Sequence, residues 1–198
     1  LARRQDLPAI DYLIQKGAAT DVVDKQGNTA LMNACYGTNL EIVKLLEKSK
    51  EHLNRANYKG ETALLIALQR SSSQVVDFLL EKGADTHATN QKGVGVIEAL
   101  IASYNPRKKN NEEDFDQKVT LLRKYLVALQ APNSIGDTAL HMAVVKGDKA
   151  LVKKILSWAS VDINSQNEDG ETPLIKAALT AKDTTLLQYL VEHGADKK

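Results

Sequence analysis

The chain has 198 residues, 43% of them hydrophobic and 26% charged, with a formal net charge of +1 and a pI near 7.9. These proportions are ordinary for a soluble fold, and the missing basic footprint argues against a nucleic-acid partner. No apolar run approaches the roughly 18 to 20 residues of a membrane span, so membrane insertion is not expected. The single cysteine, Cys35, can form no internal disulfide and fits a reducing compartment, which favours the cytoplasm. No signal peptide is visible. The opening Leu1-Ala2-Arg3-Arg4 nevertheless lines up with the end of a helix, so the sequence reads as the middle of something longer and leaves the periplasm or secretion open.

Taken in order, residues 1–23 read as the back half of a repeat, with Leu7, Ile10, Leu13 and Ile14 as its apolar stripe and Gly17-Ala18 as its close. Residues 24–56 carry Gly27-Asn28-Thr29-Ala30-Leu31-Met32-Asn33-Ala34 and a second apolar run at Ile42, Val43 and Leu46. They end in Lys50-Glu51-His52, where a looser cap is expected. Residues 57–89 repeat the pattern 33 positions on: Gly60-Glu61-Thr62-Ala63-Leu64-Leu65-Ile66-Ala67, the small polar Ser71-Ser72-Ser73, then Val75, Val76, Phe78, Leu79 and Leu80. Residues 90–132 are irregular. Gly95 takes the place of the threonine, Leu100 replaces a small alanine, and about ten extra residues at 104–114 read as a loop before Phe115, Val119, Leu122 and Leu126 restore helical spacing. Residues 133–166 and 167–198 are regular again, built on Gly136-Asp137-Thr138-Ala139-Leu140-His141-Met142-Ala143 and Gly170-Glu171-Thr172-Pro173-Leu174-Ile175-Lys176-Ala177. Their second runs are Leu151, Val152, Ile155, Leu156 and Leu186, Leu187, Leu190, Val191, with one-residue insertions near Trp158 and at Ala181 to Asp183.

Each part of the unit has a physical reason. Threonine before Pro173 or an alanine can cap an orphan backbone N–H at a helix start, and proline loses no needed donor at the first helical position. The preceding glycine suits a turn, and Gly83-Ala84-Asp85 and Gly194-Ala195-Asp196 suit helix ends. A period near 33 built on Gly-x-Thr-Pro/Ala-Leu-His-x-Ala resembles the ankyrin repeat over essentially the whole chain. The resemblance implies an all-α solenoid of β-turn fingers and helix-turn-helix units forming one elongated domain with a concave face. It also implies a non-enzymatic module that takes a protein or peptide partner. Because each unit contacts only its neighbours, the irregular 90–132 unit is the expected weak joint.

Nothing in the chain assembles into catalytic chemistry. His-Glu-x-x-His, Gly-x-Ser-x-Gly and Cys-x-x-Cys are missing, and Gly93-Val94-Gly95 lacks the third glycine of a dinucleotide loop, so neither cofactor nor metal is expected. His141 fills the histidine slot of the repeat, where the resemblance implies a structural role; His52, His87 and His193 are too scattered for a shared metal. Cys35 reads as a small buried thiol. Trp158 reads as packing, with a binding anchor as the alternative. Arg107-Lys108-Lys109 reads as a solvated loop, its charge partly cancelled by Glu112-Glu113-Asp114.

Partners of such stacks sit on the finger tips and first helices, and aligning the units on their glycines assigns those positions here. The candidate partner-binding residues are Lys25, Asn28, Tyr36, Tyr58, Lys59, Glu61, Gln69, Arg70, Lys92, Val94, Ile135, Asp137, Val145, Lys146, Glu168, Asp169 and Glu171. Early units supply Lys25, Lys59, Arg70 and Lys92 and late units Asp137, Glu168, Asp169 and Glu171, a polarity that would orient a partner. A monomer is expected. Two other readings stand beside this one: the substrate-recognition region of a larger enzyme or secreted effector, and a scaffolding subunit of a fixed complex.

Overall fold

A computed structural model describes residues 2, 6–47, 50–125, 127–180 and 184–197. Among the described residues the regular structure is helical, with no β-strand. Leu126 of the expected stripe, the insertion at Ala181 to Asp183, Lys198 and the opening Leu1, Arg3 and Arg4 lie outside the described residues. The chain divides into two compact units, residues 1–127 and 128–198.

The first unit holds α1 (Leu7–Gln15), α2 (Ala30–Ala34), α3 (Leu40–Leu46), α4 (Lys50–Leu53), α5 (Ala63–Arg70), α6 (Ser73–Glu81), α7 (Val96–Ser103) and α8 (Asn111–Lys124). First helices stack in chain order, α2 on α5 and α5 on α7, while second helices form a parallel layer, α1 on α3, α3 on α6 and α6 on α8. The core between the layers is the stripe that the sequence spells: Ile42, Val43, Val75, Val76, Leu79, Phe115 and Leu122 are fully buried. The second unit holds α9 (Ala139–Lys146), α10 (Lys149–Leu156), α11 (Pro173–Thr180) and α12 (Thr185–Glu192), with α11 packed on α9 and each pair closed by its second helix.

Helix starts follow the threonines. Thr29 Oγ1 accepts from Met32 N at 3.2 Å, Thr62 Oγ1 from Leu65 N at 3.4 Å and Thr172 Oγ1 from Ile175 N at 3.3 Å. Where Gly95 replaces threonine, the partner at the third helical position supplies the cap instead: Gly95 N donates to Glu98 Oε2 at 3.0 Å. Helix ends at Gly83 and Gly194 carry the paired bonds of a Schellman close, with Ala84 N donating to Leu79 O and Ala195 N to Leu190 O, each at 3.0 Å.

Two expectations need correction. The ending at Lys50-Glu51-His52 is no loose cap but the short helix α4, held by the fully buried Leu53. The insertion is a loop only over 104–110. Tyr104 lies in the core, edge-on to Phe115 with ring centroids 5.1 Å apart, and Asn111 to Asp114 form the first turn of α8, where their carboxylates suit the helix dipole. Asn111 clasps both loop ends, accepting from Asn105 N at 2.5 Å and donating to Ser103 O at 3.2 Å.

The lengthened α8 also brings in a buried cation. Lys118, 2% exposed, donates to Leu68 O at 3.2 Å, Ser71 O at 2.7 Å and Asp114 at 2.8 Å. It thus caps the carbonyl end of α5, while Asp114 accepts from Ser73 N at 2.7 Å at the start of α6. Burial pulls the Lys118 ammonium below its ordinary value, against the opposing pull of Asp114. Lys118→Met leaves two buried carbonyls and a carboxylate without their donor and should destabilise the chain by about 3 kcal/mol in urea unfolding. Lys124→Met, which breaks an exposed pair with Asp77 at 3.5 Å, should cost under about 1 kcal/mol.

Candidate functional site

Each finger is closed by one side chain three residues before its glycine. Asp24, Asn57, Asn90, Asn133 and Asn167 each use Oδ1 to accept two backbone N–H groups across the turn. Asn57 Oδ1, for example, takes Lys59 N and Glu61 N at 2.9 Å each, and Asn167 Oδ1 takes Asp169 N at 3.1 Å and Glu171 N at 2.9 Å. Two backbone bonds complete each turn, such as Gly60 N to Asn57 O at 2.9 Å and Asn57 N to Glu61 O at 3.0 Å. Neighbouring fingers are then joined backbone to backbone. Tyr58 N donates to Gln26 O and Gln91 N to Lys59 O in the first unit, and Glu168 N to Ile135 O in the second. The glycines make this approach possible: at Gly136, with φ of 78°, an added Cβ would stand 2.6 Å from Glu168 N.

A buried polar ladder lies beneath the tips and is the same in both units. Asn57 Nδ2 donates to Asn28 Oδ1 at 2.8 Å and Glu61 Oε2 at 2.9 Å; Asn167 Nδ2 donates to Asp137 Oδ1 at 2.8 Å and Glu171 Oε2 at 3.2 Å. In the second unit Lys176 joins it, donating to Asp137 at 3.0 Å and pairing with Glu171 at 3.2 Å. His141 is fully buried and ties two repeats together. Its Nδ1 accepts from Thr138 N at 3.1 Å and its Nε2 faces Glu171 O at 3.0 Å, which fixes the neutral tautomer with the proton on Nε2. Both ring nitrogens are thereby engaged in structure. Cys35 is buried too, and burial pushes its thiol up to about 12, the state of an inert core cysteine.

The candidate residues therefore divide. Lys25, Lys59, Arg70, Lys92, Glu168 and Asp169 are exposed, as are Ile135, Val145 and Lys146. Tyr58 is 66% exposed, its ring lying over Gly27, where an added Cβ would meet it at 2.7 Å. Tyr36, Gln69 and Val94 are half-buried. Asn28 and Asp137 are corrections: they are buried in the ladder, because the position after the glycine folds under the finger and meets the next asparagine. Glu61 and Glu171 are half-buried and turn a carboxylate oxygen into the same ladder. Trp158 is also buried, 7% exposed, and serves packing. Two sets of residues escaped the sequence reading. The Asp/Asn before every glycine is legible once the units are aligned, and Ile175 on α11 was hidden because it stands in the slot given to a structural histidine.

The family profile described as ankyrin repeats (3 copies) matches residues 1–90 and 95–198. The chain belongs to the ankyrin-repeat family. Among curated relatives of this family, it is 26% identical over 198 residues to the ankyrin repeat protein YahD of Escherichia coli (strain K12), covering 96% of this chain and 82% of YahD. It is 30% identical over 133 residues to the ankyrin repeat protein FPV031 of fowlpox virus (strain NVSL), covering 67% and 37%. It is 28% identical over 172 residues to the B-cell lymphoma 3 protein homolog of Mus musculus, covering 85% and 36%. The chain thus spans most of one relative and little more than a third of the other two. Among solved structures, a chain from the complex of the predatory endopeptidase Bd0816 of Bdellovibrio bacteriovorus with the immunity protein Bd3460 superposes with a TM-score of 0.75 at 28% identity, covering 100% of this chain and 95% of that one. The ankyrin repeat domain of Bcl-3 superposes with a TM-score of 0.69 at 25% identity, covering 98% and 84%.

Ankyrin repeats generally serve protein–protein interaction. Among the described residues no helix is long and apolar enough to cross a membrane, and no three His, Cys, Asp or Glu side chains gather as a metal ion would need. Two measurements probe the ankyrin finger itself. Gly136→Ala combines a strained φ with a clash against Glu168 N and should cost about 2–3 kcal/mol, whereas Gly170→Ala, with φ of 74° and open space around it, should cost about 1 kcal/mol in denaturant unfolding. Burial raises the Asp24 carboxyl, but hydrogen bonds from Asn33, Asn28 and Gln26 outweigh it and hold the group below the usual carboxylate range. Its contribution is present above the unfolded-state value and lost as pH falls through the folded one. Asp24→Asn, which copies the other fingers, should flatten that part of the acid unfolding curve.

Proposed function

We propose that the chain is a non-catalytic interaction module that holds a protein or peptide partner on a concave face made of its finger tips and first-helix ends. The observation that carries this reading is the division within each finger. The turn's backbone groups are satisfied by the Asp/Asn side chain and by adjoining backbone, so exposed tip side chains such as Lys25, Lys59 and Lys92 are left for another molecule. In the first unit those side chains, with Arg70, are basic and share exposed finger and helix-end positions with Tyr58, which suits an acidic part of the partner. The module acts as a monomer and needs no cofactor.

A second reading is favoured by coverage: the chain spans little more than a third of two longer relatives, and a similar solved chain comes from a complex of an endopeptidase with an immunity protein. On that reading the repeats recognise a substrate or partner on behalf of a larger protein or a fixed complex, and the same surface does the work.

The test is affinity capture with the wild-type chain, followed by titration of the identified partner. Lys59→Glu with Arg70→Glu should weaken binding by about tenfold at low salt, with the difference shrinking as salt is raised. Tyr36→Ala with Tyr58→Ala should weaken it at every salt concentration. Affinity unchanged by both pairs would overturn the reading.

A further inference from the structure

The second unit, residues 128–198, presents a surface of different chemistry. On α11, Ile175 and Leu179 stand at i and i+4 and are 39% and 70% exposed, so they share one side of the helix. On α9, against which α11 packs, Val145 is 48% exposed and stands 34 residues before Leu179, at the same position of the preceding repeat. Ile135 at the finger tip is 49% exposed. The buried sides of these helices are supplied by other residues, Leu140, Ala143 and Val144 on α9 and Pro173 and Ala177 on α11. Val145 and Leu179 hold the same repeat position and both stay open to solvent, Ile175 lies one turn before Leu179, and Ile135 opens from the finger of the same unit, so the exposed aliphatics gather in this unit instead of scattering.

The charge around that patch selects its occupant. Glu168 and Asp169 are exposed on the finger joined to Ile135, and neither enters the buried ladder through its carboxylate. Lys176 on α11 is spent internally on Asp137 and Glu171. Counting Asp137, Glu168, Asp169 and Glu171 against Lys146 and Lys176 leaves the patch at a net charge of −2. An acidic segment would be repelled, and a neutral one would leave both carboxylates unmatched.

We infer that this face docks an apolar, basic segment of a partner protein. Its aliphatic side chains cover Leu179, Ile175 and Val145, and its Lys or Arg side chains meet Glu168 and Asp169. The inference rests on the interaction-module reading and supplies the chemistry of the segment that the second unit takes.

The test uses the full chain and three fluorescein-labelled peptides of about 14 residues, patterned as amphipathic helices: leucine with lysine, leucine with glutamate, and serine with lysine. In fluorescence anisotropy the leucine–lysine peptide should bind, more weakly as salt rises, and the other two should not. Leu179→Glu, at an exposed position that folding does not need, should lower its affinity at least about tenfold. Leu179→Ser should lower it less, and Lys44→Met, which removes an exposed ion pair with Glu41 on α3, should leave it unchanged. Equal binding of the leucine–glutamate peptide, indifference to Leu179→Glu, or no binding of the leucine–lysine peptide would overturn the inference. So would a dimer in sedimentation equilibrium that Leu179→Glu disperses, since the face would then belong to a second copy of the chain. If Lys59→Glu with Arg70→Glu releases the captured partner while Leu179→Glu changes neither peptide nor partner, the module reading stands and this inference falls.

Discussion

One interaction sets the rest of the architecture: a carboxamide or carboxylate oxygen, three residues before a glycine, that accepts two backbone N–H groups and closes the finger turn. Without it the turn would have to find water or a neighbour for those donors, and the tip would not hold still. With it, each finger becomes a rigid hairpin whose remaining edge groups are free to pair with the next. Tyr58 N to Gln26 O and Gln91 N to Lys59 O are the result. The spacing of the helices behind the fingers then follows, because the cap residue that starts each first helix, threonine or Gly95, is two residues past the glycine.

The same device explains which polar residues went inside. Buried amides are tolerated when each hydrogen-bonding atom has a partner, and the asparagine ladder meets that condition with one side chain serving two repeats. His141 does similar work between Thr138 and Glu171. The irregular unit solves a different problem. It lacks the usual short turn between its helices, and a longer α8 reaches back to the α5–α6 junction with Lys118 and Asp114 instead. A buried lysine is costly on its own; three acceptors around it offset that cost.

Much of this was legible in the sequence. The thirty-three-residue rhythm gave the helices, their caps and their buried stripes, because a recurring Gly-x-Thr followed by apolar spacing has few other physical solutions. Asn28 and Asp137 were misplaced on the surface because alignment alone shows position along the finger and not which way the side chain turns. Tyr104 was assigned to a loop on the strength of Pro106 and the asparagines after it, whereas its packing depends on Phe115, eleven residues away. Lys118 was invisible for the same reason: two of its three partners, Leu68 and Ser71, are 50 and 47 residues distant in sequence. Ile175 was passed over because the motif gives its slot a structural role, filled elsewhere by Met32, Glu98 and His141, that an isoleucine cannot perform.

The placement of Tyr58 over Gly27 has a thermodynamic consequence. A tyrosine on a loop usually surrenders its rotational freedom when a ligand arrives, and that loss is charged against affinity. Here the ring already rests against the bare face of a glycine in the folded finger. Any molecule that stacks on its outer side meets an aromatic plate whose inner side is already occupied by the chain's own backbone.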